Sequence, residues 1–247
     1  MTAEDVTYGS YLYIDELLNL QKPLSTPPHP DELLFIVVHQ ASELWFKCML
    51  HEIDGLVDAF EAFESGQVLW RLQRVNALMH IVSAQLSSLE TMPPQHFAQF
   101  RTFLGSSSGS QSMQFRAIEV AAGLRDDDFI KMIREQGPMP ASVEHALSRP
   151  PLQELFMKLL EHDATTLEAL YLGPGPKMLF FVAEALLEFE QQFAEWRFKH
   201  VQLVERVIGP RTSGTGGTLG SRFLMSTIEQ KFFPQLWAGR AAFFGKK

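Results

Sequence analysis

Residues 31–63 read DELLFIVVHQASELWFKCMLHEIDGLVDAFEAF and carry the strongest structural signal in the chain. Apolar residues recur in this stretch at intervals of three and four, which places them along one face of an α-helix. Pro30 comes just before the stretch, and Asp31 and Glu32 begin it. A proline followed by acidic residues is typical of a helix N-terminus. The pattern therefore predicts one long helix from Asp31 to about Phe63.

The same periodicity recurs on both sides of this stretch. It predicts two more long helices, at 67–90 and 177–208, the latter ending at Gly209 and Pro210. Shorter helices are predicted between clusters of Gly and Pro, at 11–21, 94–104, 111–124, 152–170 and 221–230. No stretch keeps the strict alternation of a strand, and no internal repeat is visible. We therefore expect an all-α fold, a single helical domain over residues 1–247 with long bundle helices.

Composition limits the possible partners and compartments. The chain has 247 residues, 46% of them hydrophobic, and a net charge of -8, which argues against nucleic acid or an anionic membrane as a partner. The N-terminus carries acids where a targeting peptide carries bases, and the apolar run at 33–38 is too short to span a bilayer. The single cysteine, Cys48, excludes an intramolecular disulfide and a four-Cys metal site. We expect a cytoplasmic protein.

The predicted lengths of the helices favour an oligomer. Helices of more than about 30 residues in a bundle with surplus apolar face often complete their core against a neighbouring subunit. The 20 Phe, 4 Trp and 4 Tyr of this chain supply bulky packing surfaces for such contacts. A homo-oligomer is therefore expected rather than a monomer.

Standard catalytic motifs are incomplete in this chain. His51 and Glu52 begin like a zinc-protease helix, but Gly55 stands where the second His is required. Residues 209–214 have phosphate-loop spacing without the Lys that should follow. GSSSG at 105–109 follows a helical pattern, whereas a nucleophile elbow follows a strand. These failures leave histidines in unusual surroundings as the main candidates.

Two histidines lie within apolar helical stretches. His39 follows Phe35 by one turn, and His200 has Trp196 one turn before it and Val204 one turn after it. Either histidine alone could be a hydrogen-bonded core residue. Together they could face each other across a flat apolar cofactor such as haem, whose iron accepts one proximal His. The other six histidines lie near Pro-rich breaks or in polar helices, where a solvated role is expected.

Two further features could bind the polar end of a small molecule. Arg101 follows Phe97 by one turn, and an arginine in aromatic surroundings can hold a carboxylate in a bidentate pair. A surface arginine that braces a loop is the alternative. GTGG at 214–217 exposes backbone N–H groups and the Thr215 hydroxyl. A mobile surface loop fits that glycine run equally well.

Five segments, in order along most of the chain, together resemble the tryptophan 2,3-dioxygenase family. They are TYGSYLYIDELLNLQ (7–21), DELLFIVVHQASELWFKCMLHEI (31–53), FRTFLGSSSGSQSMQFRAIE (100–119), WRFKHVQLVERVIG (196–209) and GTGGT (214–218). HQxSELWxK and RxxHxxxVxRxIG are highly specific patterns. The resemblance implies a helical homotetramer that acts in tryptophan catabolism by the kynurenine pathway. It also implies one haem b per subunit, lying between helices, whose ferrous form reacts with O2 as co-substrate.

The resemblance also implies roles for the residues that could contact the haem and the indole. His200 matches the proximal iron ligand, with Trp196 beside the cofactor and Val204 one turn further along. His39 matches the distal residue that hydrogen-bonds the indole nitrogen. Phe35 matches a wall of the indole pocket.

The remaining positions concern the rest of the substrate and the neighbouring subunit. Phe97 is expected near the indole, Arg101 is expected to bind the substrate carboxylate, and Thr215 is expected to hold the amino-acid end. The N-terminal segment 1–21 is expected to reach a neighbouring subunit. Three of its residues match positions that enter the neighbour's pocket in the family: Tyr8, Tyr11 and Leu12.

Several departures from the family pattern leave the reaction outcome open. Ser110 replaces the usual Phe in SGFQS, GTGGS is here GTGGT, and one extra residue lies between Gly209 and Gly214. The chain is somewhat short for the family, and residues 119–177 match only loosely. The expected reaction inserts O2 across the indole C2–C3 bond of L-tryptophan to give N-formylkynurenine. The alternatives are a haem monooxygenase that converts a tryptophan or related indole to an oxindole, and a non-catalytic haem-binding protein.

Overall fold

The computed structural model describes residues 6–125, 127–136, 138–173, 175–210, 225 and 227–245. All regular elements in these ranges are helices, so the all-α prediction is confirmed. In chain order they are α1 (Tyr8–Leu12), α2 (Ile14–Leu18), α3 (Pro30–Glu61), α4 (Ser65–Leu89), α5 (Pro94–Arg101), α6 (Met113–Ala122), α7 (Asp127–Gln136), α8 (Ala141–Ser148), α9 (Leu152–His162), α10 (Leu167–Leu172), α11 (Lys177–Ile208) and α12 (Pro234–Gly245). The loop at 214–217 and half of the predicted helix at 221–230 lie outside the described residues.

Three long helices form the centre of the fold, as predicted. Helix α4 packs along both α3 and α11. The residues that meet there are apolar, and many of them are fully buried: Met49, Leu56, Leu72, Val75, Met79, Leu186, Phe189 and Phe193. Removing these side chains from water is the main stabilising contribution to such a core.

The start and end of the long helices follow from local chemistry. Helix α3 has Pro30 at its first position, and the Nδ1 of His29 accepts a hydrogen bond from the Asp31 N–H at 3.2 Å. Helix α11 follows Pro176 and ends at Gly209, whose φ of 87° suits glycine.

Among the described helices, α3 alone is long and apolar enough to cross a bilayer by length and composition, with a mean hydropathy of 1.3 over its most apolar window. The consecutive apolar run at 33–38 is too short by itself to indicate this. Two observations place α3 in the core of the fold. Its first half lines a cavity, and its second half is buried against α4 through Ile53, Leu56 and Phe60. Of the most apolar window of α3, 17% is buried inside the protein.

Two segments predicted as single helices are each divided in two. Segment 11–21 contains the end of α1 and all of α2, separated by Tyr13 in the left-handed region at φ 51°. Segment 152–170 contains α9 and the start of α10, with Ala164 at φ 49° between them. The Thr166 side chain then accepts a hydrogen bond from the Ala169 N–H at 3.1 Å, which caps α10. Periodicity alone does not reveal these single-residue breaks.

The helix that carries Arg101 lies apart from the main core. Helix α5 ends at Arg101 and continues as a short 3-10 turn, Thr102–Leu104. Its buried residues Phe97 and Phe100 form a small cluster with Met92, and Phe35 of α3 packs against that cluster. Helix α5 is therefore held beside the N-terminal part of α3.

Candidate functional site

A cavity of about 270 Å³ lies between α3, α5, α6, α11 and the end of α4. This volume is close to the lower end of small-molecule sites and well above that of a water-sized void. Apolar side chains make up most of its wall, including Phe35, Val38, Phe46, Leu86, Leu89, Phe97, Phe115, Trp196, Leu203 and Val204. A smaller set of polar residues faces the same space: His39, Ser42, Glu43, Arg101, Ser108, Ser112, Arg116 and His200. The structure thus brings together His39 and His200, which are 161 positions apart in the sequence (200 − 39).

The His39 imidazole is held by its own helix. Its Nδ1 lies 2.7 Å from the carbonyl oxygen of Phe35, and the two rings are 4.2 Å apart. Because a carbonyl oxygen can only accept a hydrogen bond, Nδ1 carries the proton and donates it. The neutral ring therefore keeps its lone pair on Nε2.

The electrostatic surroundings keep His39 neutral. Burial lowers the pKa of His39, while the hydrogen bond to Phe35 and the charge of Glu43 raise it by less. The ring is nevertheless accessible to solvent, because one side of it faces the open cavity while protein surrounds the other sides. Desolvation by the protein on these other sides of the ring outweighs the two effects that raise the pKa.

The His200 imidazole lies on α11 and stacks on Trp196. Their ring centroids are 5.1 Å apart, and the planes differ by 23°. Burial lowers the pKa of His200 from 6.5 to about 4, and the nearby His39 contributes in the same direction. His200 is therefore neutral at pH 7, which is the form of imidazole that binds a metal.

An aromatic wall lies beside His39. The ring centroid of Phe35 lies 5.7 Å from that of Phe97 and 5.7 Å from that of Phe100. The rings of Phe97 and Phe100 meet edge to face, with 5.3 Å between their centroids. Rings at these separations form a firm apolar surface. Such a wall can accommodate a flat apolar ring system with a single polar group.

The polar end of the cavity includes Arg101, as the sequence indicated. Arg101 is half-buried at the end of α5 and lines the cavity together with Ser108 and Gly109 of the loop that follows. A guanidinium in these partly apolar surroundings can bind a carboxylate strongly.

Sequence reasoning did not single out Glu43, which lies on the cavity wall and contacts α6. The Gln114 amide donates to the Glu43 carboxylate at 2.7 Å and to the Glu43 carbonyl at 2.9 Å. These bonds tie the start of α6 to α3 at the cavity. Glu43 follows His39 by four residues, so the helical spacing could have indicated that both lie on the same face of α3. Nothing in the sequence pairs Glu43 with Gln114.

Sequence reasoning also missed a buried ionic network behind the cavity. The Glu119 carboxylate is 2.6 Å from Arg116, which lines the cavity, and 2.6 Å from Arg197. Arg197 also donates to the carbonyl oxygen of Thr227 at 2.7 Å. Burial lowers the pKa of Arg197, while the charge of Glu119 raises it by less. The network joins α6, α11 and the C-terminal segment.

Three of the predicted site residues do not line the cavity, and a fourth lies outside the described residues. Tyr8, Tyr11 and Leu12 lie on α1 with 77%, 72% and 41% of their surfaces exposed, and they do not line the cavity of their own chain. Thr215 lies outside the described residues. The other predicted site residues line the cavity: Phe35, His39, Phe97, Arg101, Trp196, His200 and Val204.

The residues present fit a haem by the chemistry of their donor set. Two neutral imidazoles, on α3 and α11, line one cavity whose remaining wall is mostly aromatic and aliphatic. Imidazole is a suitable ligand for iron, and apolar walls suit a porphyrin.

Comparison with known proteins finds the same family that the sequence motifs resemble. The family model described as tryptophan 2,3-dioxygenase matches residues 1–162 and 158–243. The chain is 38% identical over 260 residues to a tryptophan 2,3-dioxygenase of Kineococcus radiotolerans, covering 96% of this chain and 91% of that protein. It is 38% identical over 260 residues to the tryptophan 2,3-dioxygenase of Herpetosiphon aurantiacus, covering 97% of this chain and 99% of that protein. It is 39% identical over 252 residues to the tryptophan 2,3-dioxygenase of a Nocardioides species, covering 96% of this chain and 94% of that protein.

Proposed function

The chain belongs to the tryptophan 2,3-dioxygenase family, and from this membership we propose that it oxidises L-tryptophan with O2. The reaction adds both oxygen atoms across the indole C2–C3 bond and yields N-formylkynurenine. One observation carries the proposal: His39, His200, Phe35 and Arg101 line a single cavity. That set can bind a planar cofactor, an indole and a carboxylate side by side.

In the proposed site, haem b is held by His200 as the proximal ligand. Trp196 supports the plane of the imidazole, and Val204 lines the apolar wall one turn further along α11. The haem in its ferrous form supplies the O2 chemistry that side chains cannot supply. The neutral state of His200 favours this role, because a protonated imidazole has no lone pair for iron.

The indole is recognised by one hydrogen bond and an aromatic wall. The Nε2 of His39 accepts the indole N–H, because Nδ1 is already committed to the Phe35 carbonyl. Phe35 and Phe97 pack against the flat faces and edges of the indole. Fixing the indole at both its nitrogen and its ring plane orients the C2–C3 bond, which lowers the entropic part of the barrier.

The amino-acid end of the substrate is bound at the other side of the cavity. Arg101 pairs with the carboxylate, and Thr215 helps to hold the amino-acid end. If Arg101 pairs with the carboxylate, R101L raises KM for tryptophan by about 30-fold, the loss of one charge-assisted bond of about 2 kcal/mol. Tryptamine, which lacks the carboxylate, is the matched control and should bind both forms equally.

We further propose a cytoplasmic homotetramer. The exposed aromatic and apolar residues of α1, Tyr8, Tyr11 and Leu12, support the proposal that segment 1–21 reaches the pocket of a neighbouring subunit. The net charge of -8 is consistent with no nucleic-acid partner. Sedimentation of the chain with and without residues 1–21 tests the assembly, since a segment that exchanges between subunits is needed for the tetramer.

A monooxygenase outcome is the second candidate. Ser110 in place of Phe, and the extra residue before the glycine loop, change the segments expected beside the substrate. Such changes can alter which oxygen atoms are retained without changing the scaffold. A monooxygenase would release an oxindole that contains one atom from O2.

The decisive experiment loads the protein with haem, reduces it and supplies tryptophan under labelled O2. Both labelled atoms in N-formylkynurenine support the dioxygenase. One labelled atom in an intact oxindole supports the monooxygenase. A haem-loaded protein that turns over neither tryptophan nor other indole amino acids would reject both activities and leave a non-catalytic haem-binding protein.

A further inference from the structure

A polar contact joins the first turns of the two helices that carry the aromatic wall. The Nδ1 of His96, in α5, lies 2.8 Å from the Oδ2 of Asp31, in α3. A carboxylate accepts hydrogen bonds, so His96 donates. The Asp31 N–H donates in turn to His29, whose ring lies 5.1 Å from that of His96. Asp31 therefore contacts His29 through its backbone N–H and His96 through its side-chain carboxylate.

Helix α5 is otherwise held by apolar contacts, because α11 packs against it and Phe35, Val207 and Ile208 pack against its buried rings. Its eight residues contribute Phe97 and Phe100 to a small cluster that is separate from the main hydrophobic core. That cluster fixes the apolar side of the helix. Asp31 and His96 add a polar contact at the N-terminal end, which helps to orient α5 along α3.

The orientation of α5 matters because both ends of the proposed substrate depend on it. Phe97 directly follows His96, and Arg101 ends the same helix. Phe35, on the opposite side of the wall, lies one turn after Asp31 in α3. A shift at the His96–Asp31 contact therefore changes the distances from Phe35, on α3, to Phe97 and Arg101, on α5.

We propose that His96 is a positioning residue for substrate binding, acting through Asp31. The proposal rests on the proposed function for the identity of the ligand, L-tryptophan. His96 is not expected to touch the substrate, because it does not line the cavity. Its effect is to keep Phe97 and Arg101 of α5 at fixed distances from Phe35 of α3.

Because His96 and Asp31 are partly exposed, a positioning effect of their contact can be measured separately from an effect on the stability of the whole fold. The His96 side chain is 45% exposed and that of Asp31 is 28% exposed, and ion pairs at such sites contribute little to the stability of the whole fold. The chain supplies a matched control. His145 of α8 lies 2.8 Å from Asp54 of α3, with exposures of 54% and 45%, and neither residue lines the cavity.

The test compares H96L, H96N and H145L with the wild type as haem-loaded proteins. H96L should raise KM and the calorimetric Kd for L-tryptophan by about fivefold, while kcat changes by less than about twofold. H96N should recover most of the wild-type affinity, because the Asn amide nitrogen can donate near the position of Nδ1. H145L should lose a similar amount of thermal stability and keep the wild-type KM.

Three results would overturn the inference while leaving the proposed function intact. They are wild-type affinity in H96L, equal loss of affinity in H96N and H96L, and an equal rise of KM in H145L. A wild-type protein that neither binds nor oxidises tryptophan would instead reject the proposed function, and this inference with it.

Discussion

The Nδ1 of His39 lies 2.7 Å from the carbonyl oxygen of Phe35, one turn earlier in α3. This single bond sets the tautomer of the imidazole, so that Nε2 is available as an acceptor. It also keeps the His39 ring against the Phe35 ring, at 4.2 Å between centroids. The hydrogen-bond acceptor and the first aromatic surface of the cavity thus form one rigid unit.

Replacing His39 should impair the reaction without loss of cofactor. We expect H39A to bind haem normally and to lower kcat/KM for tryptophan by about 10- to 100-fold, because one hydrogen bond to the substrate is lost. Steady-state kinetics on haem-saturated enzyme measure the effect. An indole substrate with a methyl group on the nitrogen cannot donate this bond, so H39A should change its kcat/KM much less.

Replacing His200 should have the opposite pattern. We expect H200A to lose haem or to bind it at least tenfold more weakly, because the proximal ligand contributes directly to cofactor affinity. Titration of the apoprotein with haemin, followed by the Soret band, measures this. Normal haem binding in H200A together with haem loss in H39A would reverse the two assignments.

The stability of the apoprotein should fall as the pH is lowered below about 6.5. Burial lowers the pKa of His200 from 6.5 to about 4 in the folded chain, so the unfolded chain binds more protons between these values. The free energy of unfolding then decreases by roughly 2 kcal/mol at pH 5 and is unaffected by this residue above pH 7. Urea unfolding of apoprotein at pH 5 and pH 7.5 should show a smaller difference in H200L than in the wild type. Equal differences in the two proteins would contradict the low pKa.

The buried network behind the cavity should matter more for stability than surface ion pairs. Arg197 and Glu119 are each 4% exposed, and R197M removes a buried charge partner and the donor to Thr227. We expect the free energy of unfolding to fall by about 3 kcal/mol. The exposed pair of Lys158 and Glu154 is the control, and K158A should lower the free energy of unfolding much less than R197M does. Urea denaturation compares the two, and equal costs would mean that burial of Arg197 is unimportant.

The candidate site shows how far periodicity and spacing can lead. His39 and His200 were identified because each interrupts an apolar helical stretch, and both line the cavity. The link between Glu43 and Gln114 was not identified, because the two residues are 71 positions apart and neither interrupts a pattern. The same holds for Glu119 and Arg197, which are 78 positions apart. Such pairs form only when helices pack.

The amino-acid sequence by itself determined the helical class and the three long helices, because apolar spacing and Pro or Gly at the ends are local properties of the chain. It also identified the family through short motifs. Only the tertiary structure decided which residues share a cavity, that His96 meets Asp31, and that Arg197 shares Glu119 with Arg116. The physical reason is that each of these contacts joins separate helices, whose approach depends on how all of their buried surfaces pack together.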